Sequence, residues 1–388
     1  MTLKKITALT FLFALLFVFT IDAQNLDWNI TGAGARAAGF GGAFIGVADD
    51  ATAVVWNPAG LTSLMRPEAS LVSRFVSDKY EFKLGNRTES ESQSHFVLNF
   101  LSGAYPLMDG RLVIATAFQR QLDFYYYDED DEGKYEQTGG ADTFTPGIGF
   151  RFVPFFSAGL SSNIWLGDAE YKYTDKEDSF NDFEEDYSFS GFNFVFGALV
   201  DFSYLKNPIP IKVGASVRTP FDLEWKSSFS YSEATTTFTI EMPLMLGFGA
   251  SCRIGENLTL AADYEIRAYG DSKLKIDDLD LEFPLSESQD DLNQLRVGAE
   301  YLIISDFAVI PIRAGFQTVP TIYANYDDSD NVEDQVIGSG FSVGSGLIFE
   351  KFALDVTFST TGYEQKWGSL ETDKISSNII TLSGIVYF

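Results

Sequence analysis

Apolar and polar residues alternate along this chain in segments of about ten, and beyond residue 23 no apolar run approaches the twenty or so residues of a membrane-crossing helix. Leu258, Leu260, Ala262, Tyr264 and Ile266 share one face of such a segment, with Thr259, Ala261, Asp263, Glu265 and Arg267 opposite. Leu295, Val297, Ala299 and Tyr301 oppose Gln294, Arg296, Gly298 and Glu300 in the same way, and Phe352, Leu354, Val356 and Phe358 oppose Ala353, Asp355, Thr357 and Ser359. A period of two is β-strand geometry. One greasy face and one charged face suit a strand with lipid on one side and a polar lumen on the other.

Fourteen such segments lie near 68–77, 95–105, 111–122, 142–153, 155–166, 190–204, 210–231, 239–254, 257–269, 291–304, 306–317, 337–349, 351–361 and 377–388. An even number is what bacterial barrels require, and the connections alternate between short turns such as "PLMDG" and "IGEN" and long acidic stretches such as "YYYDEDDEGKYEQTGGAD". The expected fold class is therefore all-β, a fourteen-stranded antiparallel transmembrane β-barrel over residues 67–388 with its long loops outside. Phe124, Tyr125, Tyr126 and Tyr127 are placed for an aromatic girdle at the bilayer boundary. Pro311 removes a ladder donor, so a bulge or distortion is expected near Val309–Ile312. The last strand ends on Phe388, resembling the signal by which outer-membrane barrels are recognised for assembly. A secreted β-propeller also has many short strands, but it leaves the one-sided charges and the one-sided long loops without a reason.

Lys4 and Lys5 precede an apolar run from Ile6 to Ile21 and a small Ala23, the layout of a signal peptide over residues 1–23 with cleavage before Gln24. The expected location is the bacterial outer membrane. A net charge of −28 argues against nucleic acid as a partner. One cysteine, Cys252, and one histidine, His95, leave no disulfide framework and no histidine-rich metal site. His95 stands in "SQSHF", where a Ser/His pairing is conceivable and a rim histidine without a task is the plainer reading. No enzyme is expected. The acidic loops read as solvated faces, or as holders of divalent cations bridging to lipopolysaccharide.

Residues 24–66 precede the first strand and are rich in Gly and Ala. Gly32-Ala33-Gly34-Ala35-Arg36-Ala37 satisfies the loose dinucleotide-loop pattern, yet no βαβ unit surrounds it, so the match is accidental. A fourteen-stranded barrel has a lumen too wide for its own side chains to fill. The segment is expected to fold inside it as a plug, with Arg36, Asp49 and Asp50 pairing with wall charges such as Asp263, Glu265, Arg267, Arg296, Glu300, Arg313 and Asp355. Phe40, Phe44 and Trp56 are candidates either to line a hydrophobic pocket or to pack plug against wall.

At "GGAFIGVADDATAVVWNPAGL", most sharply Ala48-Asp49-Asp50-Ala51 followed by Asn57-Pro58-Ala59, the chain resembles the FadL/TodX family of outer-membrane channels for long-chain fatty acids and other hydrophobic compounds. "RPEASLVSRFV" looks like that family's first strand, and "TIEMPLMLGFGASCRIGENLTLAADYEIRAYGDSKLK" like its characteristic hairpin. The resemblance implies an N-terminal hatch carrying the turn Asn57-Pro58-Ala59 and passive, diffusive uptake without a cofactor. It also implies a pocket bordered by the N-terminal segment, which makes Trp28 a candidate ligand contact, and a sideways exit beside a kinked third strand. Two stretches depart from the pattern: "RLVIATAFQRQL" has no glycine to mark that kink, and "GDAEYKYTDKEDSFNDFEEDYSF" is acidic where a greasy capture surface would lie. The partners expected are hydrophobic small molecules, outer-membrane lipids and lipopolysaccharide. The alternatives are a barrel serving a protein-secretion machinery and an open porin.

Overall fold

The computed structural model describes Ile30 and residues 32–177, 182–229 and 235–388. The expected signal peptide and Trp28 lie outside the described residues. Twenty strands follow one another. The first seven are β1 (Glu68–Leu84), β2 (Arg87–Leu107), β3 (Leu112–Asp123), β4 (Tyr126–Glu129), β5 (Gly133–Val153), β6 (Phe156–Leu166) and β7 (Asp168–Asp175). Then come β8 (Phe183–Asp201), β9 (Ile211–Arg218), β10 (Phe221–Phe229), β11 (Thr235–Met242), β12 (Met245–Ile254), β13 (Leu258–Arg267) and β14 (Lys273–Ile276). The last six are β15 (Leu281–Pro284), β16 (Leu292–Ile304), β17 (Val309–Tyr326), β18 (Val332–Ile348), β19 (Phe352–Trp367) and β20 (Glu371–Tyr387).

Fourteen of these close into an antiparallel barrel in the order β1, β2, β3, β5, β6, β8, β9, β12, β13, β16, β17, β18, β19, β20, with β20 paired back onto β1. Alternation decides the facing. Leu260, Tyr264, Leu295, Leu354, Val356 and Phe358 are exposed on the outside, whereas Asp263, Arg296, Glu300, Arg313 and Asp355 are buried within. An exposed apolar surface of this extent has no counterpart on a water-soluble monomer and fits a hydrocarbon environment. The short turns expected from the sequence all fall on one rim, where Phe388 N donates to Pro67 O beside the start of β1.

The long connections are mostly strands rather than loops. β1 and β2 run on to a hairpin at Gly85, and β4, β5, β7, β8, β10, β11, β14 and β15 pair in that order into a second sheet beyond the barrel. The segments expected at 210–231 and 239–254 each break in two, at Thr219-Pro220 and at Pro243-Leu244. A proline in the ladder lacks its donor, and here the chain leaves one sheet for the other at these points. Pro311 behaves differently. It sits opposite Leu302 in an unbroken β16–β17 register, while the β17–β18 ladder is interrupted at Ile310 and Pro311 without a shift of register; the shifts in β17 come at Pro320 and Ala324.

The second sheet keeps its acid outside and its aromatics inside. Trp225 packs against Phe124, Tyr187, Phe189 and Phe238 with ring centroids 5.3–6.3 Å apart, and Leu223, Ile240, Met242 and Ile276 join the same buried cluster. Phe124 and Tyr125 therefore point inward and form no girdle; of the four aromatics expected there only Tyr127 is exposed. On the outer face the charges pair within the sheet, Lys273 with Glu282 at 2.6 Å and Lys176 with Glu129 at 3.0 Å. The Tyr127 hydroxyl and Lys176 hold the Glu129 carboxyl below its ordinary range. Among the described residues no group of three or more His, Cys, Asp or Glu side chains is disposed to hold a metal ion. Trp225→Ala should remove about 3–5 kcal/mol from this cluster. Limited proteolysis then cuts the second sheet while the membrane barrel keeps its compact, heat-modifiable migration on gels.

Candidate functional site: the lumen segment and the cavity beside it

Residues 32–66 contain two short helices, Ala35–Gly39 and Ala53–Trp56, and a 3-10 turn, Pro58–Ser63. Helices this short have little stability of their own, so the wall holds them. Ser251 Oγ donates to Gly46 O at 2.9 Å, Ser342 Oγ to Gly39 O at 3.3 Å and Thr357 Oγ1 to Ala35 O at 2.6 Å, while Ala35 N donates to Ser383 Oγ at 2.7 Å. The segment can lie this close because the facing wall positions have no side chain. A methyl group on Gly159 would fall on Pro58, and one on Gly298 on Phe40.

Asn57 organises the Asn-Pro-Ala turn. Its amide nitrogen donates to Ile45 O at 3.0 Å and to Ala198 O of β8 at 3.1 Å, and its side-chain oxygen accepts from Ala59 N at 3.2 Å. Pro58 starts the 3-10 turn where its missing N–H costs nothing. Every polar atom of the Asn57 side chain is used in holding the turn to itself and to the wall.

Of the expected segment-to-wall ion pairs the one on Arg36 forms, while Asp49 and Asp50 find partners within the segment. Arg36 grips Glu300 through two hydrogen bonds of 3.2 Å and also meets Asp49 within its own segment. Arg313 bridges Glu300 at 2.6 Å and Asp355 at 2.5 Å, and Glu265 pairs with Arg267 at 2.5 Å and with Arg296 at 3.0 Å. Asp263 takes no arginine; it accepts the backbone N–H groups of Phe44 and Ile45 at 2.6 and 2.7 Å. Asp50 likewise accepts from Thr52 rather than from the wall. The charges gather on β13, β16, β17 and β19, so the segment is clamped to one side of the barrel.

On the side of β1–β3 and β17–β20 a cavity of about 300 Å³ remains. Of the described aromatic candidates only Trp56 borders it; Phe40 and Phe44 are fully buried with ring centroids 6.3 Å apart, and Phe44 lies 6.0 Å from Trp56, so they join the segment to the wall. Arg74, Asp78, Gln93, His95, Gln121, Asp123 and Tyr125 line its far wall; the sequence singled out His95 as a rim residue and Tyr125 for the girdle, and none of the other five. The signal was present in the alternation: Arg74, Asp78, His95 and Gln121 fall on the polar faces of their strands. The partner of His95 is Asp123, at 2.7 Å from Nε2, and not a serine.

The wall behind this cavity is incomplete. The β2–β3 ladder runs from Leu107 opposite Leu112 to Phe100 opposite Gln119 and stops, although both strands continue. β3 stays paired with β5 as far as Asp123, with a register shift between Arg120 and Leu122. The third strand thus carries an irregularity here without the glycine whose absence was noted. Beyond Phe100 the two strands touch through side chains: Asn99 Nδ2 donates to Arg120 O at 3.0 Å, and His95 meets Asp123 and stacks on Tyr125 at 4.3 Å. Outside, Phe96 and Leu98 are exposed beside this seam.

No protein-family model and no curated protein sequence matches the chain. Solved structures do. A Pseudomonas aeruginosa FadL homologue superposes over 93% of this chain and 99% of its own at a TM-score of 0.67 and 12% identity. The P. putida toluene transporter TodX does so over 93% and 99%, at 0.63 and 12%. The Ralstonia pickettii toluene transporter TbuX covers 93% and 100%, at 0.57 and 14%. At such identities likeness speaks for architecture, and the architecture of this chain is that of the FadL- and TodX-type barrels.

Proposed function

We propose that the protein is a passive outer-membrane channel for hydrophobic compounds, with residues 24–66 as its plug. The observation that carries this reading is the pairing of a lipid-facing barrel with an interior that is neither open nor fully packed. Porins keep a water-filled lumen. Here a clamped segment occupies it and leaves a cavity beside it, beneath an aromatic cluster that includes Ile30. Trp56, Val76, Val319, Phe341, Ile375 and Ile379 give this cavity apolar surface, and the charged and amide side chains of its far wall give it polar groups that can orient a bound molecule. The molecule passes from the aromatic cluster to the cavity and leaves sideways through the β2–β3 seam into the bilayer, driven only by its gradient. Trp56 is the ligand contact retained from the aromatic candidates, and Asn57-Pro58-Ala59 serves as a fixed bolt of the plug. Lipid and lipopolysaccharide are the surroundings that the exterior fits.

The test is uptake. Cells of a host lacking its own channel of this type should take up a labelled long-chain or aromatic hydrophobe faster when they carry this protein, and mass spectrometry of the detergent-extracted barrel should find an apolar small molecule bound. In planar bilayers the same preparation should show no steady water-filled conductance. A porin-like conductance together with unchanged hydrophobe uptake overturns the reading.

A further inference from the structure

We propose that His95 and Asp123 in the β2–β3 seam, with Gln121 on the cavity wall beside them where its amide nitrogen donates to Gln119 and to Thr143 of β5, form a head-group gate that passes neutral hydroxyl-bearing amphiphiles in preference to bare hydrocarbons and to carboxylates. This rests on the seam being the exit. A carboxylate oxygen can only accept, so the His95–Asp123 contact uses the proton on Nε2, and in the neutral imidazole Nδ1 is then an acceptor. Nδ1 of His95 and Oε1 of Gln121 are both buried and have no hydrogen-bond partner among the described residues. The closed seam is therefore already short of donors. Opening it separates His95 from Asp123, which leaves the carboxylate with Arg120, 3.6 Å away, as its partner and adds an N–H in need of an acceptor. Arg74 lines the same cavity and brings further donors.

The balance of groups sets the choice of molecule. An alkane meets none of these needs while it holds the seam apart. A carboxylate accepts from Arg74 and from the imidazole N–H, but it offers no proton to Asp123, Gln121 or Nδ1 and stands against the charge of Asp123 and Asp78. A hydroxyl group gives one proton and accepts another, so it replaces the bond that opening breaks. Tyr125, stacked on His95 at 20° between ring planes, gives the imidazole an apolar surface to stay on while closed. The gate thus selects by chemistry at the head, and the apolar tail needs only to fit.

The experiment compares decan-1-ol, decanoate and decane as labelled probes for initial uptake by cells carrying the full-length protein, with heat-modifiable migration as the check on folding. One exchanged hydrogen bond changes a rate by about five- to ten-fold, so the wild-type protein should favour the alcohol over the alkane by about that factor. In His95→Phe/Asp123→Leu the ratio should fall to about one, chiefly because decane uptake rises. Gln121→Leu, which leaves the His95–Asp123 contact in place, should lower alcohol uptake alone. A ratio unchanged in both variants overturns the gate. In a separate arm, His95→Cys/Asp123→Cys in a Cys252→Ser background is bridged by a short bifunctional thiosulfonate. Loss of uptake of all three probes, restored by reductant, supports the seam as exit; uptake indifferent to the bridge overturns the exit itself, and with it the channel route described above.

Discussion

Replacing Arg313 by leucine should destabilise the protein by about 3–5 kcal/mol, because it leaves Glu300 and Asp355 buried without their shared cation. Arg313 is fully buried and joins two strands that are not neighbours, β16 through Glu300 and β19 through Asp355. Glu300 in turn holds Arg36 of the plug. The loss is therefore mechanical as well as energetic: the clamped side of the plug loses one of its two charge centres. Denaturant unfolding in detergent should show the lower midpoint, and trypsin should reach Arg36 in the variant while sparing it in the parent protein. Arg313→Lys keeps the charge but not the planar fork that reaches both carboxylates, so its effect should be intermediate. A midpoint equal to that of the parent protein would mean that water solvates these carboxylates and that the network holds little.

A second large effect is expected from a single methyl group. In Gly315→Ala the new carbon falls on the backbone of Phe40 and Gly41, where no side chain can turn aside. The same methyl in Gly103→Ala approaches nothing closer than Glu68 O at 4.0 Å. Overpacking of this kind costs about 1–3 kcal/mol even when the surroundings can shift. Gly41 itself has φ of 65°, so it cannot readily be rebuilt into another conformation. The strand is held on both sides by its ladder; the plug is the part that yields. Planar bilayers should then record stepwise openings for Gly315→Ala and stay silent for Gly103→Ala. Silence from both variants, with both barrels folded, would show that the plug can retreat from the wall without opening a path.

Several features of the fold were legible because a barrel strand has two unlike solvents. Leu260 and Asp263 differ in burial for the same reason that they differ in polarity, and that alternation counted the fourteen barrel strands correctly. The second sheet was hidden partly in what read as loops, as at "EDYSFSGF", and partly in what read as barrel strand, as at "FDLEWKS" and "TFTIEM". Acid marked the first as solvated, although one face of it is buried, and unbroken alternation hid the point where the other two leave the barrel. At Pro311 the expected disturbance takes the form of a local gap in the ladder to β18 and not a bulge: local chemistry forbids one ladder bond, but the register on either side of it is set by many others.

The sequence by itself determined which residues face lipid, which face the lumen, and that a small-sided leading segment had a wide lumen to fill. These follow from side-chain polarity and size, which are local properties. Only the tertiary structure decided that Asp263 holds backbone while Arg36 holds Glu300, that Phe124 caps the lumen from within, and that β2 and β3 part above Phe100. Each of these depends on the relative register of elements far apart in the chain, and register is a sum over a whole ladder that no single stretch of residues records.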